Sequence, residues 1–503
     1  MSRATQRRMN TQRRKKWGFR LLVLAMVALP WFIAEGVLRG LGWPRHSEVN
    51  DVSLGFEGTR PLWSLSDDRQ WFEIAPERRF YFQYDRFPAN KENDERRIFV
   101  VGGSTVQGNP YTIETAFSTW ARLALEVGDP RTRWTVVNCG GVSYASYRLV
   151  PLVEELLTHD PDVIVLCTGH NEFLERREYR DYLATPRWRR RWGSWARQSA
   201  LVSWTLDRST PGSQVVTERL SAEVDAVLDH EGGASHYHRD VEFEQAVSEH
   251  FAASLARIGT MCRRANVPVV LVLPVSDERD TPPFKSETQF DRTAAAEFEA
   301  AIRSPTWLTQ SARVRLAMLE QWRQGADDHA GIHYHLGLAW DSLGEAERAR
   351  AAYRRAIDLD VCPLRCPSPL LDELRQAATC YEWSVVDMPA LLASETMDGT
   401  IDRSVVIDHV HPTIASHQRV GRELAMVVAR LLDRPAAAED EAVLETYREW
   451  LEALPVAYFE HGAERLRLFE LWARGMVVRG KPPLGSVGEV AKHRAASIAT
   501  LEA

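Results

Sequence analysis

The stretch "RRIFVVGGSTVQGN", residues 96–109, decides the fold. Ile98, Phe99, Val100 and Val101 read as a strand buried on both faces, and Gly102, Gly103 and Ser104 end it with little side-chain bulk and a hydroxyl at the tip. Glycine permits a tight turn and leaves backbone N–H groups uncovered, so this strand end offers a nucleophile together with donors. It is not a Walker loop, because it lacks the Lys that would hold phosphates. Nor is it a G-x-S-x-G elbow, since Val106 stands where the last glycine would be.

Outward from this strand, similar apolar runs recur as WTVVN (134–138), DVIVLCTG (162–169), VPVVLVLPV (267–275) and WSVVDM (383–388). Most are separated by segments of helical period, such as FSTWARLALEVG, and strands apolar throughout that alternate with helices imply a parallel sheet covered on both faces. In such a sheet ligands bind at the carboxyl ends of the strands. The second strand ends in "NCGGVSYAS", with Asn138, Gly140, Gly141 and Ser143, and the third in "TGHNE", with Gly169 and Asn171. Beyond the last strand, "VVIDHVHPTIASHQRVGRELAMVVARLL" places Asp408 and His411 three apart in a loop that opens a long helix. An Asp so placed can fix the imidazole tautomer and leave the other ring nitrogen to take a proton from a serine.

These four segments, in this order, resemble the blocks of the SGNH, or GDSL-type, hydrolase superfamily. The resemblance covers residues 96 to about 283 and 376–434. It implies a flavodoxin-like three-layer α/β/α sandwich and a serine esterase that needs neither cofactor nor metal. Carried over by position, Ser104 becomes the nucleophile, His411 the general base and Asp408 its orienting acid, with the N–H groups of Ser104 and Ser143 and the Asn171 amide as oxyanion donors. Two departures stand out. The first block reads GGST rather than GDSL, and Ser143 occupies the usual place of a glycine, which leaves the second donor open between Ser143 and Gly141. His409 is a rival base but breaks the Asp-x-x-His spacing. The expected substrate is an acylated ester, with envelope glycans or lipids as candidates on topology alone. Two alternatives accompany the esterase: an O-acyltransferase or deacetylase of envelope polysaccharide, and a non-catalytic scaffold of tetratricopeptide (TPR) type.

The remaining sequence sets the organisation. With 503 residues, 45% hydrophobic and 26% charged, the chain can bury a large core, and its net charge of -7 gives no footprint for nucleic acid. Its first twenty residues carry eight Arg or Lys and no acid, then run into the apolar segment Leu21 to Ala34. We expect a basic cytoplasmic tail (1–17), a membrane anchor (18–40, rather than a cleaved signal) and all that follows outside the cytoplasm, periplasmic in a Gram-negative bacterium. An extension (41–95) precedes the first hydrolase segment (96–283), a helical insertion (284–375), the second hydrolase segment (376–434) and a C-terminal helical extension (435–503). Within the insertion, Leu336, Gly337, Trp340, Gly344, Ala349, Tyr353 and Ala356 fall at spacings that resemble one TPR repeat, a candidate docking surface for a protein. One repeat is too few to stand alone, so it should pack on the main domain. The run "PRWRRRWGSWARQSALVSW" (186–204) suits either an anionic surface or a solvated Arg face. Cys139 and Cys167 belong in buried strands, and Cys362, Cys366 and Cys380 lie near enough in sequence for a bridge; zinc is less favoured, as no fourth ligand is spaced for it.

Overall fold

Strand β1 (Glu95–Gly102) is an inner strand of a five-stranded parallel sheet, flanked by β2 (Arg133–Gly140) and β3 (Val163–Cys167), with β4 (Val269–Val272) and β5 (Ser384–Val386) beyond β3. The spatial order is therefore 2-1-3-4-5, the flavodoxin-like doubly wound order, and all five strands expected from sequence are present. This computed structural model describes residues 60–177, 223–230, 232–436 and 441–473, with short pieces at 29–31, 33–38, 55–56, 201 and 219–221. Most of the expected anchor, the basic tail and nearly all of the Trp-rich run at 186–204 fall outside the described residues. Among those described, no helix is long and apolar enough to cross a membrane.

Contacts divide the chain into two units, 1–57 with 177–221 and 58–176 with 222–503. In the first, the two-residue strands Gly55–Phe56 and Arg219–Leu220 pair in parallel. The second holds the sheet. Its inner strands β1, β3 and β4 are almost wholly buried because both faces are covered: Ile98, Val100, Val163, Val165, Val270 and Val272 join one core, while Phe99, Val101, Ile164 and Leu166 alternate onto the opposite face. Each such side chain contributes about 1.5–3 kcal/mol when fully buried. The turn after β1 leads through the one-turn helix α1 (Ser104–Gln107) to α2 (Phe117–Gly128), and α3 (Ser146–Leu156) links β2 to β3. The 25-residue α4 (Val241–Ala265) precedes β4.

Between β4 and β5 lie α5 (Arg292–Arg303), α6 (Pro305–Thr309), α7 (Ala312–Gly325), α8 (Ala330–Asp341), α9 (Ala346–Asp358) and α10 (Ser368–Tyr381). After β5 come α11 (Met388–Ala393), α12 (Ile414–Leu431), α13 (Glu441–Ala453) and α14 (Val456–Ala473). Helices α2 and α12 cover the Ile98 face. The expected hairpin is α8 with α9: a Cβ on Gly337 would stand 2.4 Å from the Tyr353 ring, so only glycine admits this crossing. The hairpin meets the main domain, with Tyr334 Oη donating to the Arg279 carbonyl and Arg354 pairing with Glu278, and it has a second partner. Ile332 and Leu336 of α8 bury against Phe298, Trp307, Leu319 and Trp322, so α5, α6 and α7 supply the core that a single repeat lacks.

Before β1, Trp63–Leu65, Trp71–Ile74 and Arg86–Pro88 form a small antiparallel sheet. Trp63 packs edge-on against Phe87, and the Glu155 carboxylate accepts from the Leu62 and Trp63 amides, which fastens this sheet to α3. All six cysteines are free thiols. Cys362 and Cys366 are buried and Cys380 is exposed, so the bridge the sequence allowed is not formed.

Candidate functional site

The carboxyl ends of β1, β2 and β3 lie side by side, with Gly102 opposite both Gly140 and Cys167. That register explains the two glycines after Val101. A Cβ on Gly102 would meet the Cys167 carbonyl oxygen at 2.1 Å, and one on Gly103 would meet Asn171 Nδ2 at 2.6 Å. The chain then enters α1 with Ser104 at its first position, half-buried. Asn138 holds this turn from beneath: its Nδ2 donates to the Val106 carbonyl at 2.7 Å and to Ser118 Oγ at 2.8 Å, and its Oδ1 accepts from the Gly140 amide.

The distant Asp-x-x-His segment arrives at the same place. His411 Nε2 lies 2.8 Å from Ser104 Oγ, and His411 Nδ1 lies 2.6 Å from Asp408 Oδ2. The other Asp408 oxygen accepts from the Val410 and His411 amides, both at 2.8 Å. Burial alone would raise the Asp408 pKa, but the His411 and His409 imidazoles and these hydrogen bonds outweigh it, holding the carboxyl well below the ordinary range. It is therefore an anion that fixes the imidazole's orientation. The loop is set by its surroundings: the Ile407 amide donates to the His411 carbonyl, Thr413 caps α12 through the Ser416 amide, and Arg403 reaches both Asp277 and the Ile407 carbonyl.

His409, the rival base, faces elsewhere. Its Nδ1 is 3.7 Å from Asp408 Oδ1 and its ring lies edge-on to Phe284. Burial foremost, partly offset by Asp408, lowers its pKa to about 4.

Gly141 and Ser143 differ in whether their N–H groups are already bonded. The Gly141 N–H is committed to the Gly102 carbonyl at 2.9 Å, and Val142 N–H to the Tyr81 carbonyl. Among the described residues the N–H groups of Ser143 and Ser104 have no acceptor. Ser143 holds φ 63°, in the left-handed region where glycine is the easy occupant. Asn171 Nδ2 spends one hydrogen on the Tyr144 carbonyl at 3.0 Å, which aligns the amide and leaves the second free to point elsewhere.

Three contributions were not read from the sequence. Asn138 acts as a prop beneath α1. Glu172 of the same "TGHNE" loop is buried and accepts from the amide and hydroxyl of Ser146, joining the loops after β2 and β3. His170, in the same loop, is buried, and its Nδ1 accepts from the Cys366 amide. Only residue type could have flagged the last two, since acids and imidazoles are seldom buried without a partner. Among the described residues, no group of His, Cys, Asp and Glu is arranged to hold a metal ion.

No family model and no curated protein sequence matches the chain. Solved structures do align with it at low identity. LAE5, an alpha/beta hydrolase enzyme from the metagenome of Lake Arreo, Spain, is 12% identical, with 67% of this chain and 96% of that chain covered and a TM-score of 0.29. Axe2, an acetylxylan esterase from Geobacillus stearothermophilus, is 12% identical, covering 66% and 94% with a TM-score of 0.29. A G-D-S-L family protein from Desulfitobacterium hafniense DCB-2 is 9% identical, covering 67% and 99% with a TM-score of 0.28.

Proposed function

We propose that the chain is a serine esterase of the SGNH type. The observation that carries this reading is the unbroken hydrogen-bonded chain Ser104, His411, Asp408, assembled from residues 307 apart in sequence at the carboxyl edge of the sheet. Ser104 Oγ attacks the ester carbonyl while His411 Nε2 takes its proton. The oxyanion that forms is met by the N–H groups of Ser104 and Ser143 and the free hydrogen of the Asn171 amide. The C–O bond to the alcohol then breaks, and His411 returns the proton to the departing oxygen. Water, deprotonated by the same imidazole, releases the acid and restores Ser104. Asp408 stays ionised throughout and stabilises the imidazolium.

Ser104→Ala should lower kcat on a short-chain p-nitrophenyl ester by about a million-fold, and should abolish labelling by a fluorophosphonate probe. Undiminished turnover in this variant would rule out the serine mechanism.

The N-terminal segment extends the proposal to location. Eight basic residues ahead of an apolar run support an anchor with the catalytic unit outside the cytoplasm. A C-terminal fusion to alkaline phosphatase should be active in cells, whereas an inactive fusion beside an active cytoplasmic reporter would reverse the orientation.

A further inference from the structure

Asp408 and His411 sit on a loop that must keep register with a distant part of the chain, the turn after β1. Bonds within the loop fix its shape: the Ile407 amide donates to the His411 carbonyl at 2.8 Å, the Thr413 amide donates to the Val405 carbonyl at 3.0 Å, and Val406 bridges Pro412. Helix α12 anchors its C-terminal end, so the tip remains to be placed over the sheet. Helix α1 meets that tip through Thr105 Oγ1, which donates to the Val410 carbonyl at 3.5 Å, too long to hold it firmly. Shorter bonds come from the segment that follows β4. The Asp277 amide donates to the His409 carbonyl at 2.9 Å. The Asp277 carboxylate, wholly buried, accepts from Arg403 Nε at 3.1 Å, and Arg403 Nη1 donates to the Ile407 carbonyl. Asp277 thus grips the carbonyls on both sides of Asp408, one directly and one through a guanidinium.

The grip is itself braced. Thr281 Oγ1 and the Asp280 amide donate to the Asp277 carboxylate at 2.7 and 2.9 Å, Asp280 Oδ2 accepts from the Arg403 amide at 2.9 Å, and the buried Arg365 donates to the Asp277 carbonyl at 3.0 Å. A planar guanidinium suits this task, since it presents several donors in a fixed fork and can span two acceptors at once.

We propose that Arg403 is a positioning residue for the reaction: with Asp277 it clamps the backbone on either side of Asp408 and so holds His411 Nε2 within reach of Ser104 Oγ. This rests on the esterase reading above. The clamp acts on placement and leaves the Asp408 and His411 pair intact, because Asp408 is bonded within its own loop to the Val410 and His411 amides and to the imidazole. Its loss should therefore slow proton transfer from Ser104 without weakening substrate binding.

The test is p-nitrophenyl acetate hydrolysis measured well below Tm, with active sites counted by exhaustive fluorophosphonate labelling so that only folded enzyme is scored. Arg403→Ala should lower kcat per labelled site by about 10- to 100-fold, with KM within about threefold of wild type, because misplacement by about 1 Å costs about 100-fold. Asp277→Ala keeps its backbone amide but loses the hold on Arg403, so it should cost about as much, and the double variant should be within about threefold of the worse single one. Where either alanine variant does not fold, Arg403→Lys decides: the charge facing Asp277 remains, but one ammonium cannot span both acceptors, so kcat should still fall by about 3- to 10-fold. A loss carried by KM, single losses that multiply in the double variant, or kcat per labelled site equal to wild type would each overturn the assignment. Failure of the parent reading looks different: Ser104 would not label and wild type would cleave no ester.

Discussion

Ser143 and Asn171 lie on the loops after β2 and β3, the two strands that flank β1, and are secured differently. Ser143 offers a backbone N–H at φ 63°, and holding a non-glycine residue there costs on the order of 1 kcal/mol, which the bonds of Gly141, Val142 and Tyr144 on either side offset. Asn171 offers a side chain aligned through the Tyr144 carbonyl. Asn171→Ala should therefore lower kcat by about 100- to 1000-fold with little change in KM, because the lost hydrogen bond forms only in the transition state. Steady-state kinetics on p-nitrophenyl acetate decide this; a loss confined to KM would make Asn171 a ground-state binding group. At this scale much was legible beforehand. Ser104, Asp408 and His411 stood out because each combines a reactive type with a strand end or helix start. Spacing does not record that the Gly141 amide is already spent on a carbonyl. The setting of His170 was equally hidden, because the amide its ring accepts from belongs to Cys366, nearly two hundred residues away.

Elements were legible where burial dictated composition and less so where charge was buried. Strand β1 begins at Glu95, three residues before the apolar run that announced it, because Arg97 and Glu95 are satisfied inside the fold. Arg97 pairs with Glu95 at 2.9 Å and donates to the carbonyls of His159 and Pro88, so a guanidinium normally excluded from a central strand becomes a clamp between β1 and the preceding antiparallel sheet. A full set of hydrogen bonds makes this placement tolerable, and no local pattern reveals it. The helical insertion shows the complementary case. Its small-residue spacing correctly marked the crossing of α8 and α9, since Gly337 and Tyr353 sit beside each other in a periodic pattern. The second cover of that hairpin, Phe298, Trp307 and Trp322, was not foreseen because it comes from helices whose own periodicity carries no repeat signature.

For the whole molecule, the site depends on elements that hold no chemistry of their own. The C-terminal helices carry no candidate catalytic group, yet α13 and α14 close the core beside α2 and the segment that follows Ser104. Tyr447 Oη donates to the Trp120 carbonyl at 2.6 Å and Trp450 Nε1 to the Glu114 carbonyl at 2.9 Å. Arg465 of α14 goes further, donating to Asn109 Oδ1 at 3.0 Å and to the Tyr111 carbonyl at 3.1 Å. The Asn109 amide in turn donates to the Ser104 carbonyl at 3.1 Å, so one guanidinium props the backbone that leaves α1. Removing it should affect catalysis beyond its share of stability. Two charge-assisted hydrogen bonds in a half-buried place are worth about 1.5–3 kcal/mol each at most, and their loss should lower Tm by about 2–5 °C in a chain this large. If Ser104 shifts by a few tenths of an ångström as Asn109 relaxes, kcat for Arg465→Ala should fall by about 10-fold while KM holds, because misplacement of about 1 Å costs about 100-fold. Calorimetry and kinetics on the same preparation separate the two effects. A lowered Tm with unchanged kcat would reduce α14 to a cover for the core, whereas a loss of kcat measured well below Tm places it within the support on which the Ser104 and His411 alignment rests.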